Sequence, residues 1–221
     1  ANGIIRLDNP YAFNTNSFIV TNAGVLGGAV AFTLGNGEGL RSVQVSGSGS
    51  LWTNTAALTL KSNVIVTVEG GGRLAVAAGG LTMNTNGVVP YGLMVTNGGQ
   101  LATVGAACSI GGGGENNGVL VAGGNALWSG GGQALTIGSG MSASNNVLRV
   151  DGRGVAGGAV VTNIAAITVG NIAGYNALAL TNGGRLYSTG AANIGSTGSN
   201  NTVQVAGGGS LWNVGAQALT L

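Results

Sequence analysis

The sequence contains no histidine, a single cysteine and very few charged residues. Seven of its 221 residues are Lys or Arg and five are Asp or Glu. Charged residues therefore make up 5% of the chain, against about a quarter in an ordinary domain. The lack of histidine excludes Ser-His-Asp and Cys-His catalysis and zinc sites that use histidine. The lone Cys108 excludes an intramolecular disulfide framework.

The sparse charges exclude further classes of protein. The Lys and Arg residues are scattered, whereas nucleic-acid binding needs clustered cations that neutralise several phosphates. Calcium sites of the solenoid type need an Asp in nearly every nonapeptide repeat. The whole sequence has five acids, which are Asp8, Glu38, Glu69, Glu115 and Asp151. We therefore predict no nucleic-acid partner, no metal site, no cofactor and no catalytic residues.

Long apolar runs are also missing. A membrane helix needs roughly 18 or more unbroken apolar residues, and the longest candidate, residues 159–170, is shorter and contains Asn163. Disorder does not fit either, because 44% of the residues are hydrophobic and Val, Leu and Ile recur at regular positions. The sequence predicts a folded chain without a membrane-spanning segment.

The sequence is rich in glycine, with 46 residues, and it contains an internal repeat. Eight copies of a short pattern each begin with an apolar anchor, followed two residues later by Asn or Gly. The copies are spaced 23 to 30 residues apart. The anchors are Val20, Val45, Val68, Val95, Val121, Val150, Leu180 and Val205.

Two more features recur in phase with the anchors. An apolar residue lies two positions before each anchor, and an apolar-polar-apolar triplet such as FTL, LTL or CSI follows each copy. Such short alternating stretches, bounded by Gly and Asn, are typical of β-strands. We predict an all-β fold: a single-domain parallel β-helix (β-solenoid) over residues 1–221, with about eight rungs and three short strands per rung. At about 4.8 Å per rung, the rod is about 38 Å long.

A longer period of three rungs, about 80 residues, is superimposed on this repeat. Rungs one, four and seven share a TNxG corner. Rungs two, five and eight share a Leu-Trp pair, and rungs three and six have an acid after the anchor, Glu69 and Asp151. This pattern indicates that the array was duplicated in blocks of three rungs.

Asn and Gly recur at two positions of the rung, and each position forms a column of residues along the axis that we interpret as structural. The residue two positions after each anchor tolerates a positive φ at low cost, so we predict a left-handed corner at Asn22, Gly47, Gly70, Asn97, Gly123, Gly152, Asn182 and Gly207. A second column upstream of the anchors contains Asn117, Asn146, Asn176 and Asn201. We predict that these four amides stack and hydrogen-bond along the axis, as Asn ladders do in cross-β assemblies.

The stretches NNTVQVAGGGSLWN, from residue 200, and NNGVLVAGGNALW, from residue 116, resemble a known repeat. It is the repeat shared by autotransporter (type V secretion) passenger regions and PEP-CTERM-associated surface proteins. Weaker copies extend the resemblance over most of the chain. The resemblance implies a bacterial secreted or cell-surface β-helix, and it implies no catalytic residues because the repeat defines none.

Trp52, Trp128 and Trp212 recur every third rung. Two hypotheses fit them. An aromatic strip on the surface of the rod would bind sugar rings by stacking, whereas a packing strip would cover small residues of neighbouring rungs such as Gly27 and Ala75. We favour packing, because a tryptophan is large enough to cover several glycines.

The remaining candidates for chemistry are few. Arg149, Asp151 and Arg153 alternate, which nominally puts them on one strand face; they are either an anion or uronate subsite or a solvated charge cluster. Glu69 and Asp151 share a column but lie three rungs, about 14 Å, apart, too far for a glycosidase pair. Cys108 falls in an apolar column with Leu81 and Leu135, which favours a buried small hydrophobe over a reactive thiol.

These observations favour a non-enzymatic, extracellular structural β-solenoid: a stalk, a surface matrix element or the subunit of a head-to-tail fibre. The alternative is a cell-surface adhesin or glycan-binding passenger domain, and a polysaccharide lyase is less favoured. Ile5 and Leu7 at one end, and Leu219 and Leu221 at the other, occupy the same slot of the rung. We therefore expect copies to stack end to end, with the competing expectation that the sequence is a fragment of a longer array.

Overall fold

The computed structural model describes residues 16–35, 39–84 and 90–221. These residues form 22 β-strands, connected by turns and short irregular segments, with no helix among them. Accordingly, the described part of the chain has no helix that could cross a membrane. All strand pairs are parallel, and the chain passes through three flat faces in turn before it returns one rung further along the axis.

The first face is an eight-stranded sheet that contains the anchors. Its register pairs each anchor with the anchor of the next rung, beginning with Val20 against Val45. The face therefore stacks eight rungs in one direction. Its strands are β1 (Asn16–Val20), β4 (Arg41–Ser46), β7 (Val64–Glu69), β10 (Leu93–Thr96), β13 (Gly118–Ala122), β15 (Val147–Asp151), β17 (Ala177–Thr181) and β20 (Thr202–Ala206).

The second and third faces together form a 14-stranded sheet. They are joined because two long strands, β14 (Leu127–Ile137) and β16 (Val160–Val169), run through the corner between them. The other strands of the second face are β2 (Val25–Gly28), β5 (Leu51–Asn54), β8 (Arg73–Val76), β11 (Gln100–Thr103), β18 (Arg185–Ser188) and β21 (Leu211–Asn213). Those of the third face are β3 (Phe32–Leu34), β6 (Leu58–Leu60), β9 (Leu81–Met83), β12 (Cys108–Ile110), β19 (Ala192–Ile194) and β22 (Leu219–Thr220).

The three faces enclose one apolar core that runs along the whole rod. Alternate residues of each strand point inward, as in β4 and β7, where every second residue is buried. Val45, Val95 and Leu148 are fully buried, and each such side chain contributes about 1.5–3 kcal/mol relative to an exposed one. The predicted all-β solenoid of about eight rungs, with three strands per rung, is confirmed.

In seven of the eight rungs, the corner after the first face takes one of two regular forms. In rungs one, three, four and seven, two successive residues have positive φ, for example Asn97 (47°) and Gly98 (83°). Gly99 N then donates to Thr96 O at 2.9 Å, which is the pattern of a type I′ turn. In rungs two, five and eight, two left-handed residues flank a third, as Gly207 (86°) and Gly209 (77°) flank Gly208.

Seven of the eight predicted corner residues have positive φ, and Gly152 does not. The prediction is wrong there because rung six carries a longer corner, residues 152–158, whose left-handed positions are Arg153 (52°), Gly154 (66°) and Gly157 (66°). Gly152 is required for another reason: a Cβ on it would collide with the backbone of Asn182 and Gly183 in the next rung.

Two adjacent glycines in rung five test the corner assignment. Gly123 has φ of 84° and a Cβ there would collide with Oδ1 of Asn97, so we expect Gly123→Ala to lower the free energy of unfolding by about 1–3 kcal/mol. Gly124 lacks a positive φ and has ordinary space around it, so Gly124→Ala should stay within about 0.5 kcal/mol of the parent. Thermal and denaturant unfolding measure both, and equal effects would contradict the corner geometry.

Candidate functional site

The most regular polar feature of the rod is the asparagine column, formed by Asn117, Asn146, Asn176 and Asn201. Asn117, Asn146 and Asn176 are almost completely buried, at 0–1% exposed. Each residue lies where the chain leaves the loop after the third face and enters a strand of the first face. The parallel register places the four residues directly above one another.

The amide oxygens of Asn146, Asn176 and Asn201 each accept two hydrogen bonds from the preceding rung. The backbone N of Asn117 and its Nδ2 donate to Oδ1 of Asn146 at 2.9 and 2.7 Å. Asn146 donates in the same way to Asn176, at 3.0 Å from both atoms. Asn176 donates to Asn201 at 2.9 and 3.2 Å. The predicted ladder of stacked amides is therefore present in these four rungs.

The same amides also hold the loops that precede them. Asn117 Nδ2 donates to Gly114 O at 3.0 Å, Asn176 Nδ2 to Ala173 O at 3.1 Å and Asn201 Nδ2 to Gly198 O at 3.0 Å. One side chain thus connects two rungs and closes its own loop. This arrangement satisfies polar groups that are buried and would otherwise destabilise the fold.

The column depends on glycines that sequence reasoning missed. Gly111, Gly138 and Gly170 directly follow strands of the third face and have φ of 79°, 76° and 72°. A Cβ on any of them would collide with the amide of Asn146, Asn176 or Asn201, respectively. The signal in the sequence is a Gly immediately after the third-face triplet in these rungs.

The three tryptophans point into the core. Trp52 and Trp128 are 1% and 0% exposed, and the register sets them opposite Leu26 and Leu101. Trp212, in rung eight, is half-buried and packs against the same core. The surface-strip hypothesis is wrong for Trp52 and Trp128, because both side chains are buried. The expected packing of Trp52 over Gly27 and Ala75 is also wrong, because these two residues pair with Thr53, which faces outward.

Each tryptophan is fixed by a specific neighbour. Trp128 Nε1 donates to Thr103 Oγ1 at 3.1 Å, and Trp212 Nε1 donates to Ser188 Oγ at 3.3 Å. The ring of Trp52 instead meets that of Phe32 edge to face, with centroids 5.6 Å apart. The three-rung period therefore serves packing inside the core.

The charged cluster is an ion pair at a corner. Arg149 and Asp151 are bonded at 2.7 Å, whereas Arg153 has left the strand and contributes its backbone N, which donates to Asp151 Oδ1 at 2.9 Å. Burial alone raises the pKa of Asp151, but hydrogen bonds from Arg153, Arg149 and Asn182 outweigh it and keep that pKa below its ordinary value. The expectation of three charges on one strand face is wrong, because the chain turns after Asp151.

The other two candidates also have structural surroundings. Glu69 Oε1 accepts a hydrogen bond from Gln44 Nε2 at 2.7 Å, and the register separates it from Asp151 by three rungs.

Cys108 is 4% exposed and pairs with Leu135. Burial raises the pKa of the Cys108 thiol, which keeps it protonated and unreactive. Within the described ranges, no three His, Cys, Asp or Glu residues come together in a possible metal site.

Comparison with known proteins identifies no family for the chain. No protein-family model and no curated protein matches the sequence. Among solved structures, the chain is similar to a hyper-glycosylated fragment of TibA, glycosylated by TibC, with 18% identity and a TM-score of 0.39. The match covers 95% of this chain and 80% of the TibA fragment.

The asparagine column predicts a specific loss of stability. Asn146→Ala removes the acceptor for two donors of Asn117, and a buried donor without an acceptor costs about 1–3 kcal/mol. We expect the free energy of unfolding to fall by about 2–4 kcal/mol. Asn193→Ala, in an exposed position of the third face, is the matched control and should change it by less than about 0.5 kcal/mol. Equal stability of the two variants would show that the ladder does not stabilise the rod.

Proposed function

We propose that the chain is a non-enzymatic structural β-solenoid, which works outside the cell as part of a stalk, fibre or surface matrix and is extended by head-to-tail stacking of copies. The observation that supports the proposal is the parallel register of rungs seven and eight, which a further rung would continue. At rung eight, in the described structure, the hydrogen-bonding groups and the apolar core both face outward along the axis.

The backbone of β20 shows the direction of this edge. Thr202 N donates to Asn176 O at 2.9 Å, and Ala206 O accepts from Asn182 N at 3.1 Å, so these residues face rung seven. In a parallel sheet, alternate residues direct N–H and C=O to opposite neighbours. Val203 and Val205 therefore direct their backbone groups away from the rod, as a ready template for another parallel strand.

The core is uncovered at the same edge. Val205 is 48% exposed, whereas Leu180, its partner in rung seven, is fully buried. Leu219 is 49% exposed, whereas its partner Ala192 is fully buried. Leu221 is 90% exposed. A further rung placed on this edge would bury all three side chains.

Rung one of a second copy fits the edge column by column. Asn16 occupies the position of the asparagine column in rung one, opposite Arg41, and would lie above Asn201. The apolar Phe18 and Val20 would lie above Val203 and Val205 in the same register. With 5% charged residues, little electrostatic repulsion opposes such stacking. Ile5 and Leu7, the predicted stacking residues at the other end, lie outside the described residues.

The non-enzymatic and extracellular parts of the proposal have separate support. The two carboxylates that share a column, Glu69 and Asp151, are each bonded to another side chain and lie about 14 Å apart along the axis, beyond the reach of a glycosidase pair. The repeat's resemblance to those of autotransporter passengers and PEP-CTERM-associated surface proteins favours a secreted or cell-surface location.

Stacking predicts a concentration-dependent increase in mass. We expect light scattering of the 21.2 kDa chain to show a mean mass that keeps rising with concentration, as open-ended growth requires. Val205→Lys puts a charge at the end of the core, which is tolerated in the free rod but desolvated in a stack, and should abolish growth. Gln204→Lys, on the outward side of the same strand, should leave growth unchanged. A parent chain that is monomeric at every concentration would overturn the axial proposal.

The absence of catalysis is tested on acidic polysaccharides. We expect no turnover of pectin, alginate or related glycans, because Asp151 is held by three hydrogen bonds and is not paired with a second free carboxylate. Product formation is measured by reducing ends and by absorbance of unsaturated uronates. Turnover that Asp151→Asn abolishes, while the variant remains folded, would contradict the non-enzymatic proposal.

A further inference from the structure

The outer surface of the third face carries two continuous columns of side chains. One is a column of hydroxyls completed by a single amide, and it stacks in unbroken register through eight rungs. Its members are Thr33, Thr59, Thr82, Ser109, Thr136, Thr168, Asn193 and Thr220. The other, two residues upstream, consists of Ala31, Ala57, Gly80, Ala107, Ala134, Ala166, Ala191 and Ala218.

The hydroxyl column faces solvent because its neighbours on each strand fill the core. In β6, for example, Leu58 and Leu60 are fully buried and Thr59 between them is half-buried. Ser109 bonds to Ser139 at 3.1 Å. In the described ranges, the other members of the column have no side-chain hydrogen bond to the rest of the chain.

The face is uncharged, and its two columns differ in size. No member of either column is ionisable, and Lys61, which directly follows β6, lies at its margin. The threonine side chains project as a ridge, and the short alanine side chains beside them, with the buried Gly80, leave a furrow along it. A face of this kind has both a projection and a matching recess along its whole length.

We propose that this face is a lateral docking surface for the same face of a second copy, with the two rods side by side and parallel. A two-fold axis parallel to the rods sets the threonine ridge of each copy against the alanine furrow of the other, so that a self-complementary contact results. An axis across the rods would set ridge against ridge, and we therefore assign the parallel arrangement.

The size of the face fits a reversible pair. Eight rungs at about 4.8 Å and five residues at about 3.3 Å give a face of about 38 by about 16 Å. Roughly 600 Å² per rod, or roughly 1,200 Å² in total, would be buried, which is at the lower limit of stable interfaces. The pair should therefore form and dissociate with concentration. It is a closed pair, distinct from open-ended axial growth, and it would bundle stacked rods laterally.

The test is made with axial stacking blocked. In the Val205→Lys background, we expect sedimentation equilibrium to show a monomer–dimer equilibrium. Adding Thr168→Lys, which places a charge in the middle of the ridge, should raise the dissociation constant at least about tenfold. Adding Thr162→Lys instead is the matched control, because Thr162 lies on the second-face part of the same strand, β16, and it should leave the constant unchanged.

Two further measurements complete the test. Circular dichroism melting confirms that all variants are folded. Spin labels on Cys introduced at Gly208, where a Cβ would have no other atom within 4 Å, report orientation: parallel rods bring the two labels to the same end and antiparallel rods separate them by a rod length. A Val205→Lys chain that stays monomeric, equal effects of the two Thr→Lys changes, or separated labels would each overturn the lateral proposal. If the parent chain shows no open-ended growth, only the axial stacking proposal is overturned.

Discussion

The parallel register between successive rungs is the constraint on which the rest of the structure depends. Because Val20 lies above Val45, and Val45 above Val68, every residue shares its surroundings with the residues one rung away. A side chain that fits one rung must therefore fit its whole column. This explains why the sequence repeats its apolar, Thr, Asn and Gly positions while its spacing between rungs varies: the loops absorb the variation and the columns do not.

The asparagine column shows how a polar group satisfies this constraint inside an apolar rod. One amide accepts two hydrogen bonds from the rung before it and can donate both to the rung after it and to its own loop, as Asn176 does. The loops at this corner differ in sequence and length, yet each ends at the same point because the amide fixes it there. The glycines that follow the third-face strands leave the space these amides occupy.

The sequence is sufficient to predict the features that recur in register from one rung to the next. The strands, the rung number, the asparagine ladder and most left-handed corners follow from period and residue type. Sequence reasoning fails where the chain passes a corner, because alternation cannot be counted through a turn of unknown length. For this reason, sequence reasoning does not identify the neighbours of Trp52 in the core, and it puts Arg153 on a strand. It also assigns a positive φ to Gly152, which lies at the start of a longer corner and lacks one.

The two proposed modes of assembly use different parts of the rod: rung eight along the axis and the threonine face at its side. Both proposals rest on the same parallel stack, which has one direct measurement. Scalar couplings through hydrogen bonds, observed by NMR on labelled protein, should connect the backbone nitrogen of Asn117 with the side-chain carbonyl of Asn146. The same coupling should recur from Asn146 to Asn176 and from Asn176 to Asn201. Couplings that instead join strands adjacent in sequence, as in antiparallel hairpins, would contradict the parallel solenoid.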